Sequence, residues 1–519
     1  MCCRCIRSRR CTEGARNFCH SWTTYLSHVV IIGAGIGGLV VATRLAHAGH
    51  TVDVFEQGEQ TGGKMNRIEF DGCVFDTGPT LITMPFVIEN YFSSIGLSAS
   101  DNLTLSKVDP ACHYRWPDGS SLDLPFELND VARAIEEFAP GNGASVVHYL
   151  EQARELYELT KDIFIFSPFR GFREFLSWKN LQMLPHLHRL RFMNSLHDVH
   201  SKTFSDPRIV QLFDRFATYN GSSPYLAPAT LMVIPWVEIG LGAWYVQGGI
   251  YTIAEVFTRV ARENGVRIHL NNRVKSILVE RGTACGVVLA DGSSIAADHV
   301  VSNADVFVTR KHLLGVNLSE PDNLSSSGLV MLMSVEKDNH GLAQHNVLFS
   351  DDYRGEFAGL ANEDRPRKNA SIYISRSSHT DTTQAPSDRE NWFVLVNAPA
   401  KGKSDVLDVG QVSVWEGHAQ AHAELVLEQM STFGVRPSVR QMMVRTPDTM
   451  ASEWSSHKGA LYGSSSNSMF SAFLRPRQRS SDVANLWYVG GSAHPGGGVP
   501  LVITSGMIAA DLILSSLST

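Results

Sequence analysis

The hydrophobic positions change period several times along the chain, and each change marks an element. Residues 28–32, HVVII, form a short β-branched run, the pattern of a buried strand. Residues 36–48 space their apolar positions as a helix does, and residues 51–55 return to a strand. A second block begins near 244. Residues 250–263 read as a helix that Gly265 stops, with strands at 266–270, 274–279, 287–290 and 295–301. Asp291-Gly292 between the last two is a hairpin signal. A third block closes the chain: a strand at 486–489, a glycine-rich turn at 490–500 and a helix at 501–514. Strand, glycine turn and helix in this order predict an α/β fold.

Two long stretches separate these blocks. Residues 105–243 are patterned mainly as helices, and 306–480 mix strands at 329–335, 370–375 and 392–397 with a helix at 418–430. The expected partition is a nucleotide-binding domain from 28–104, 244–305 and 481–519, and a mixed α+β substrate domain from 105–243 and 306–480. Residues 1–27 form a flexible basic arm outside both.

Composition narrows the class. Of 519 residues 43% are hydrophobic, enough for a sizeable core, which excludes wholesale disorder. Lys and Arg number 45 against 52 Asp and Glu, so a surface built for nucleic acid is not expected. Five of the eight cysteines, Cys2, Cys3, Cys5, Cys11 and Cys19, crowd the arm without the spacing of a metal site. The body reads as reduced, and no residue group suggests a bound metal. Residues 28–46 and 498–517 are apolar, yet glycines and charges interrupt both, as in buried core elements.

The first block carries the sharpest chemistry. Gly33, Gly35 and Gly38, with Gly37 among them, spell G-x-G-x-x-G between a strand and a helix. Gly33 permits a tight turn, Gly35 lets backbone approach a pyrophosphate, and Gly38 lets helix and strand pack closely. The phosphates then meet free N–H groups at the helix N-terminus. Glu56 ends the second strand, where a carboxylate accepts from ribose hydroxyls. A second glycine turn, Gly62-Gly63-Lys64, follows, then a third around Gly78-Pro79. Turns that cross back over the nucleotide favour FAD over a nicotinamide. No second G-x-G-x-x-G is present for one.

Residues 162–192 interleave Phe164, Phe166, Phe169, Phe172, Phe175 and Trp178 with Arg170, Arg173, Lys179, Arg189 and Arg191. Such a stretch suits a membrane interface. A core-facing helix pair with a basic outer side has the same composition.

The chain resembles the carotenoid desaturase and oxidase flavoproteins. The matching segments are GAGIGGLVVATRLAHAGH at 33–50, GGKMNR at 62–67, FDTGPTLITMP at 75–85, YNGSSPYLAPAT at 219–230, WYVQGGIY at 244–251 and LWYVGGSAHPGGGVPLV at 486–502. The resemblance implies an FAD-binding Rossmann-like domain of the amine-oxidase type, assembled from discontinuous segments. It also implies non-covalent FAD, a long apolar polyene in a tunnel, O2 or a quinone as electron acceptor, and peripheral attachment on the cytoplasmic side of a membrane. By position Gly33, Gly35, Gly38 and Glu56 take the ADP end, and Gly63 and Lys64 approach the pyrophosphate or ribityl chain. Gly78 and Pro79 border the flavin, Val274 lies by the adenine, and Gly490, Gly498, Val499 and Pro500 line the isoalloxazine. Wider relatives have Gly-Asp where this chain has Gly491-Ser492.

The last turn, His494-Pro495-Gly496-Gly497-Gly498-Val499-Pro500, and residues 244–249 look more like the branch that oxidises a terminal methyl of an acyclic diapocarotenoid to an aldehyde, a monooxygenase reaction. Desaturation of a phytoene- or diapophytoene-type polyene is the alternative. An amine oxidase and a non-enzymatic carotenoid-binding scaffold are the rivals from other classes. His494 is the one titratable group inside the terminal turn, a candidate proton acceptor or a structural tie. Glu238, Asp76 and Arg215 are further acid–base candidates, and Trp236, Phe166, Tyr219, Tyr225 and Met232 are candidate tunnel linings.

Overall fold

The computed structural model describes residues 26–169, 193–321, 323–363, 367–404, 407–408, 413–468 and 475–517. The arm through residue 25, with its five cysteines, lies outside the described residues. So does the part of the aromatic and basic run at 170–192, with Phe172, Phe175, Trp178 and the cations interleaved there.

Five strands form one parallel sheet in the order Leu486–Tyr488, His299–Ser302, His28–Ile32, Thr51–Phe55, Arg267–His269. Its two faces follow from the two-residue period of a strand. Val29 and Ile31 pack on the helices Ile36–His47, Tyr251–Glu263 and Val499–Leu517. Val30 and Ile32 face the antiparallel strands Val274–Glu280, Thr283–Leu289 and Ser294–Ala296. The run at 295–301 thus splits in two: its first half joins the antiparallel sheet and its second half the parallel one. The break falls at Asp298, whose carboxylate accepts from the His28 N–H at 2.8 Å.

The final helix begins at Val499, two residues before its expected start. Pro500 fits in a first turn because that turn has no N–H acceptor to lose. Although this helix is long and apolar enough to cross a membrane, half of its most apolar stretch is buried inside the protein. Gly506 permits that packing: a Cβ there would stand 2.8 Å from the Gly37 carbonyl oxygen and from Val40 Cβ.

A seven-stranded mixed sheet lies alongside, in the order Val439–Arg445, Ser327–Glu336, Arg389–Ala398, Ile372–Ser375, His345–Leu348, Cys112–Arg115, Ser121–Leu124. Only the pairing of His345–Leu348 with Cys112–Arg115 is parallel. One part of this sheet carries the helix Ala419–Thr432. The other packs on Leu128–Phe138, Gly143–Phe164, Leu196–Thr203 and Pro207–Asp214. Residues 105–124 hold three strands where helix was expected. They are only three or four residues long, so their alternation, SLDL for one, is too brief to stand out from the helical pattern that follows. The hairpin Arg67–Phe70 and Cys73–Asp76 packs its Phe75 against Val330, Leu332 and Phe393 of the large sheet.

Candidate active site

The first glycine loop is shaped by its backbone and tied by two side chains, Glu56 and Asn303. Gly33, at φ 92°, donates its N–H to the Phe55 carbonyl at 2.8 Å. A Cβ on Gly38 would lie 2.4 Å from the Gly33 carbonyl oxygen, so only glycine fits there. Gly35 is the N-cap of Ile36–His47 and offers no side-chain acceptor, leaving the N–H groups of Ile36 and Gly37 to a ligand while that of Gly38 goes to Asn303. The turn at 62–64 lies directly on this loop. Gly62 donates to the Ala34 carbonyl at 2.8 Å, and a Cβ on Gly63 would sit 3.3 Å from Gly35 Cα. Glu56 accepts from the N–H groups of Ala34 and Gly58, both at 2.8 Å, which fixes its carboxylate at the end of the second strand.

A cavity of about 350 Å³ opens beside these loops. Gly33, Gly35, Glu56, Gly62, Gly63, Lys64, Gly78, Pro79, Val274, Gly490, Gly498 and Val499 all line it, although they come from every block of the nucleotide region. Gly37, Gly38 and Pro500 do not. The first two turn toward Asn303 and Gly33, and Pro500 is buried in the first turn of its helix. Asn303 joins three loops: its Oδ1 accepts from the Gly38 N–H at 3.1 Å, and its side chain abuts Gly35 and Gly490.

At the other end the wall becomes apolar, with Val330, Phe393, Leu395 and Met450. Lys64 donates to the carbonyls of Leu461 (2.5 Å) and Ala460 (3.4 Å). Burial lowers its ammonium to about 8, with Asp305 opposing and Arg475 reinforcing the shift. Arg475 donates to the Tyr462 and Gly491 carbonyls at 2.7 and 3.0 Å, tying the terminal turn to the 462 segment. Ser492 accepts from the Val306 N–H at 3.0 Å. The Trp454 indole N–H, in the same wall, has no partner among the described residues. Asn303, Asp305, Arg475 and Trp454 were not among the expected site residues. Asn303 and Asp305, one and three positions after the strand His299–Ser302, were the two a strand-end rule could have raised.

His494 does not line the cavity. It is 3% exposed, stacks on Phe169 with ring centroids 5.9 Å apart, and donates from Nε2 to the Ser167 carbonyl at 3.0 Å. Burial lowers its imidazole to about 4, so it is neutral at neutral pH. Each of these contacts ties the turn in place, the structural reading the sequence had left beside proton transfer. Asp76 accepts from the Ile250 and Tyr251 N–H groups at 2.9 and 3.0 Å and so holds the start of Tyr251–Glu263. Arg215 and Glu238 pair at 2.8 Å inside a second apolar core, the one between the large sheet and the helices Leu128–Phe138, Gly143–Phe164, Leu196–Thr203 and Pro207–Asp214, the first core being that of the parallel sheet and its helices. Phe166, Trp236, Tyr219 and Tyr225 keep partly exposed rings against the two cores, and Trp236 packs on both, whereas Met232 is plain core.

The family model for flavin containing amine oxidoreductases matches residues 36–514. A 1-hydroxycarotenoid 3,4-desaturase from Flavobacterium sp. (strain P99-3) is 35% identical over 94% of this chain and 99% of its own. A 4,4'-diapolycopene oxygenase from Methylomonas sp is 32% identical over 94% and 98%, and a zeta-carotene-forming phytoene desaturase from Myxococcus xanthus 32% over 95% and 95%. Among solved structures, an oxidoreductase from Methanosarcina mazei superposes with a TM-score of 0.59 at 18% identity, covering 92% of this chain and 99% of that one. That likeness speaks to the fold, which is the Rossmann-like, discontinuously assembled one expected. The cavity residues fit an FAD. Gly35 and Gly63 leave backbone bare, Glu56 places a carboxylate in the wall, and the Trp454 N–H has no partner among the described residues. The relatives do not single out the methyl-oxidising branch, since desaturases and oxygenases match at similar identity.

Proposed function

Because the chain belongs to the flavin containing amine oxidoreductase family and is an FAD-dependent oxidoreductase related to carotenoid desaturases and oxygenases, we propose that it desaturates an acyclic carotenoid-type polyene. The observation that carries this reading is the 35% identity, end to end, with a relative named as a desaturase. The sequence had placed oxidation of a terminal methyl first. The 32% match to a named oxygenase keeps that as the second reading.

Bound FAD supplies a two-electron oxidant. The chain's own residues do the rest. The glycine loops and Glu56 anchor the nucleotide end. Gly78, Pro79 and the 490–499 turn border the reacting end, and Lys64 and Arg475 pin the loops that close it. The apolar wall excludes water and suits a hydrocarbon. Val233 and Trp236, partly exposed between the two cores, and Phe166 on the first of them support a path for a long apolar molecule. Extended conjugation spreads the positive charge that develops as hydrogen leaves, so a strong protein base is not required, which agrees with a neutral, tied His494.

Attachment to one face of a membrane belongs to the same reading. Met193, 92% exposed, and Leu226, 59% exposed, stand on segments that pair through Ser195 and Pro228, next to the aromatic, basic run. The final electron acceptor is O2 or a quinone in this reading.

The test is anaerobic mixing of the purified flavoprotein with an acyclic polyene. Bleaching of the flavin with loss of two hydrogens per step and no oxygen gain is expected. A gain of oxygen and a carbonyl derivative once O2 is admitted would replace desaturation with methyl oxidation. Neither bleaching nor oxygen gain with any polyene would sink both.

A further inference from the structure

Three strands of the parallel sheet end side by side at the cofactor cavity, in the spatial order His28–Ile32, Thr51–Phe55, Arg267–His269. The glycine loop follows the first, Glu56 follows the second, and the turn 270–273 follows the third. The three ends are bonded to one another. The Ala34 N–H donates to the Glu56 carboxylate at 2.8 Å, and the Asn271 and Asn272 N–H groups donate to the carbonyls of Gly58 and Glu56 at 3.0 and 2.8 Å. A dinucleotide with its phosphates on the glycine loop and a ribose at Glu56 therefore continues over the third strand end, toward residues 272–274.

Arg273 stands there. It is half-buried and lines the cavity beside Glu56 and Val274. Among the described residues its guanidinium has no hydrogen-bond or ion-pair partner. Burial holds it below the ordinary arginine value, and no carboxylate opposes that shift. Glu56, in the same wall, is turned to the Ala34 and Gly58 N–H groups instead. Lys64, the other cation in the wall, is engaged by the carbonyls of Leu461 and Ala460. The surroundings of Arg273 are apolar: Val274, Leu313 and Leu407 line the same cavity. Burial lowers the imidazole of His312, next to Leu313, and Arg273 is among the charges that act on it, which places the guanidinium near this apolar group. A bare guanidinium plane among apolar side chains suits a flat aromatic ring. A phosphate also suits a guanidinium, but the phosphates belong to the glycine loop, two strands and roughly 10 Å away.

We propose that the Arg273 guanidinium stacks on the purine ring of FAD, with Val274, Leu313 and Leu407 around it, and so holds the adenine end of the cofactor. This rests on the cofactor alone and is independent of whether the flavin desaturates a polyene or oxidises its methyl end.

The full-length protein, freed of flavin, is titrated with FAD and with ADP, which carries the purine without the flavin. Three variants separate the plane of the side chain from its charge. Arg273→Ala removes both, Arg273→Lys keeps the charge, and Arg273→Tyr keeps a plane. With ligand-free melting temperatures as in wild type, Ala and Lys are expected to raise both dissociation constants about tenfold, and Tyr to stay within about threefold of wild type. The stacking is overturned by an Ala variant that binds as tightly as wild type, or by a Tyr variant that binds no better than Ala. It is equally overturned by a Lys variant that matches wild type, which would make the contact one of charge with phosphate. A wild-type protein that binds neither FAD nor ADP overturns the cofactor itself, and the role of Arg273 with it.

Discussion

The nucleotide region and the second core solve opposite problems. In the first, the chemistry is done by backbone. Glycines at 33, 35 and 63 remove side chains so that N–H groups can approach a ligand, and one carboxylate, Glu56, is held by two backbone donors. In the second, polar side chains pair with one another. Arg215, Glu238 and Tyr114 come from separate elements and are buried among apolar neighbours. A backbone site tolerates little change in local shape. A buried side-chain site depends on every partner being present, since leaving one charge unpaired costs more than the pair contributes.

That contrast can be pressed from its strongest point to its weakest. Gly38→Val places a Cβ 2.4 Å from the Gly33 carbonyl oxygen. The purified variant is expected to carry essentially no flavin, a loss of at least about 100-fold in affinity (~2.7 kcal/mol), read as the flavin-to-protein absorbance ratio. Normal flavin content would show that this loop is not what binds the nucleotide. Glu56→Ala removes one acceptor but leaves the loops, so the FAD dissociation constant should rise about tenfold, ~1.4 kcal/mol. Fluorescence titration of the apoprotein measures it, and an unchanged constant would remove Glu56 from the site.

His494 sharpens the comparison through pH. Its folded value, about 4, lies below the ordinary histidine value of 6.5. Its neutral form is therefore favoured in the fold, and its contribution is complete above 6.5 and lost as pH falls from 6.5 toward 4. At pH 5 the loss is on the order of 2 kcal/mol. Asp76, raised to about 6 by burial, acts in the opposite sense between about 6 and 4, so the variant must be compared with wild type at each pH. His494→Asn should flatten the fall in melting temperature between pH 7 and pH 5 while leaving turnover at pH 7 within about threefold. A large loss of turnover at unchanged flavin content would instead return His494 to proton transfer. Ser492→Asp is the smallest step. Aspartate can keep the bond from the Val306 N–H and add a charge toward the cofactor, tightening FAD by about threefold, ~0.6 kcal/mol. Weaker binding would mean that the serine suits this chain.

The two regions also differ in how far they could be read from the chain. The strand at 28–32, its glycine turn and the helix after it were placed almost to the residue, because each rests on local period and on backbone that only glycine can adopt. Errors fell where strands are shorter than the period needs, as at Cys112–Arg115 and Ser121–Leu124, or where one apolar run serves two sheets, as at 294–302. Asn303 escaped notice because nothing near it in sequence says that its carboxamide will meet Gly38, 265 positions away. Likewise Arg215 meets Tyr114 across 101 positions, and neither neighbourhood marks the other.

The amino-acid order by itself settled where the backbone turns, where it lies bare for a nucleotide, and that this is an α/β flavoprotein. The tertiary structure alone decided that His494 is tied behind its turn, that Asn303 joins three loops, and that Arg215 meets Glu238 and Tyr114 inside one core. Period and glycine act over a few residues, and so are written into the chain. A hydrogen bond acts over about 3 Å, and which groups come that close is set only when distant segments pack.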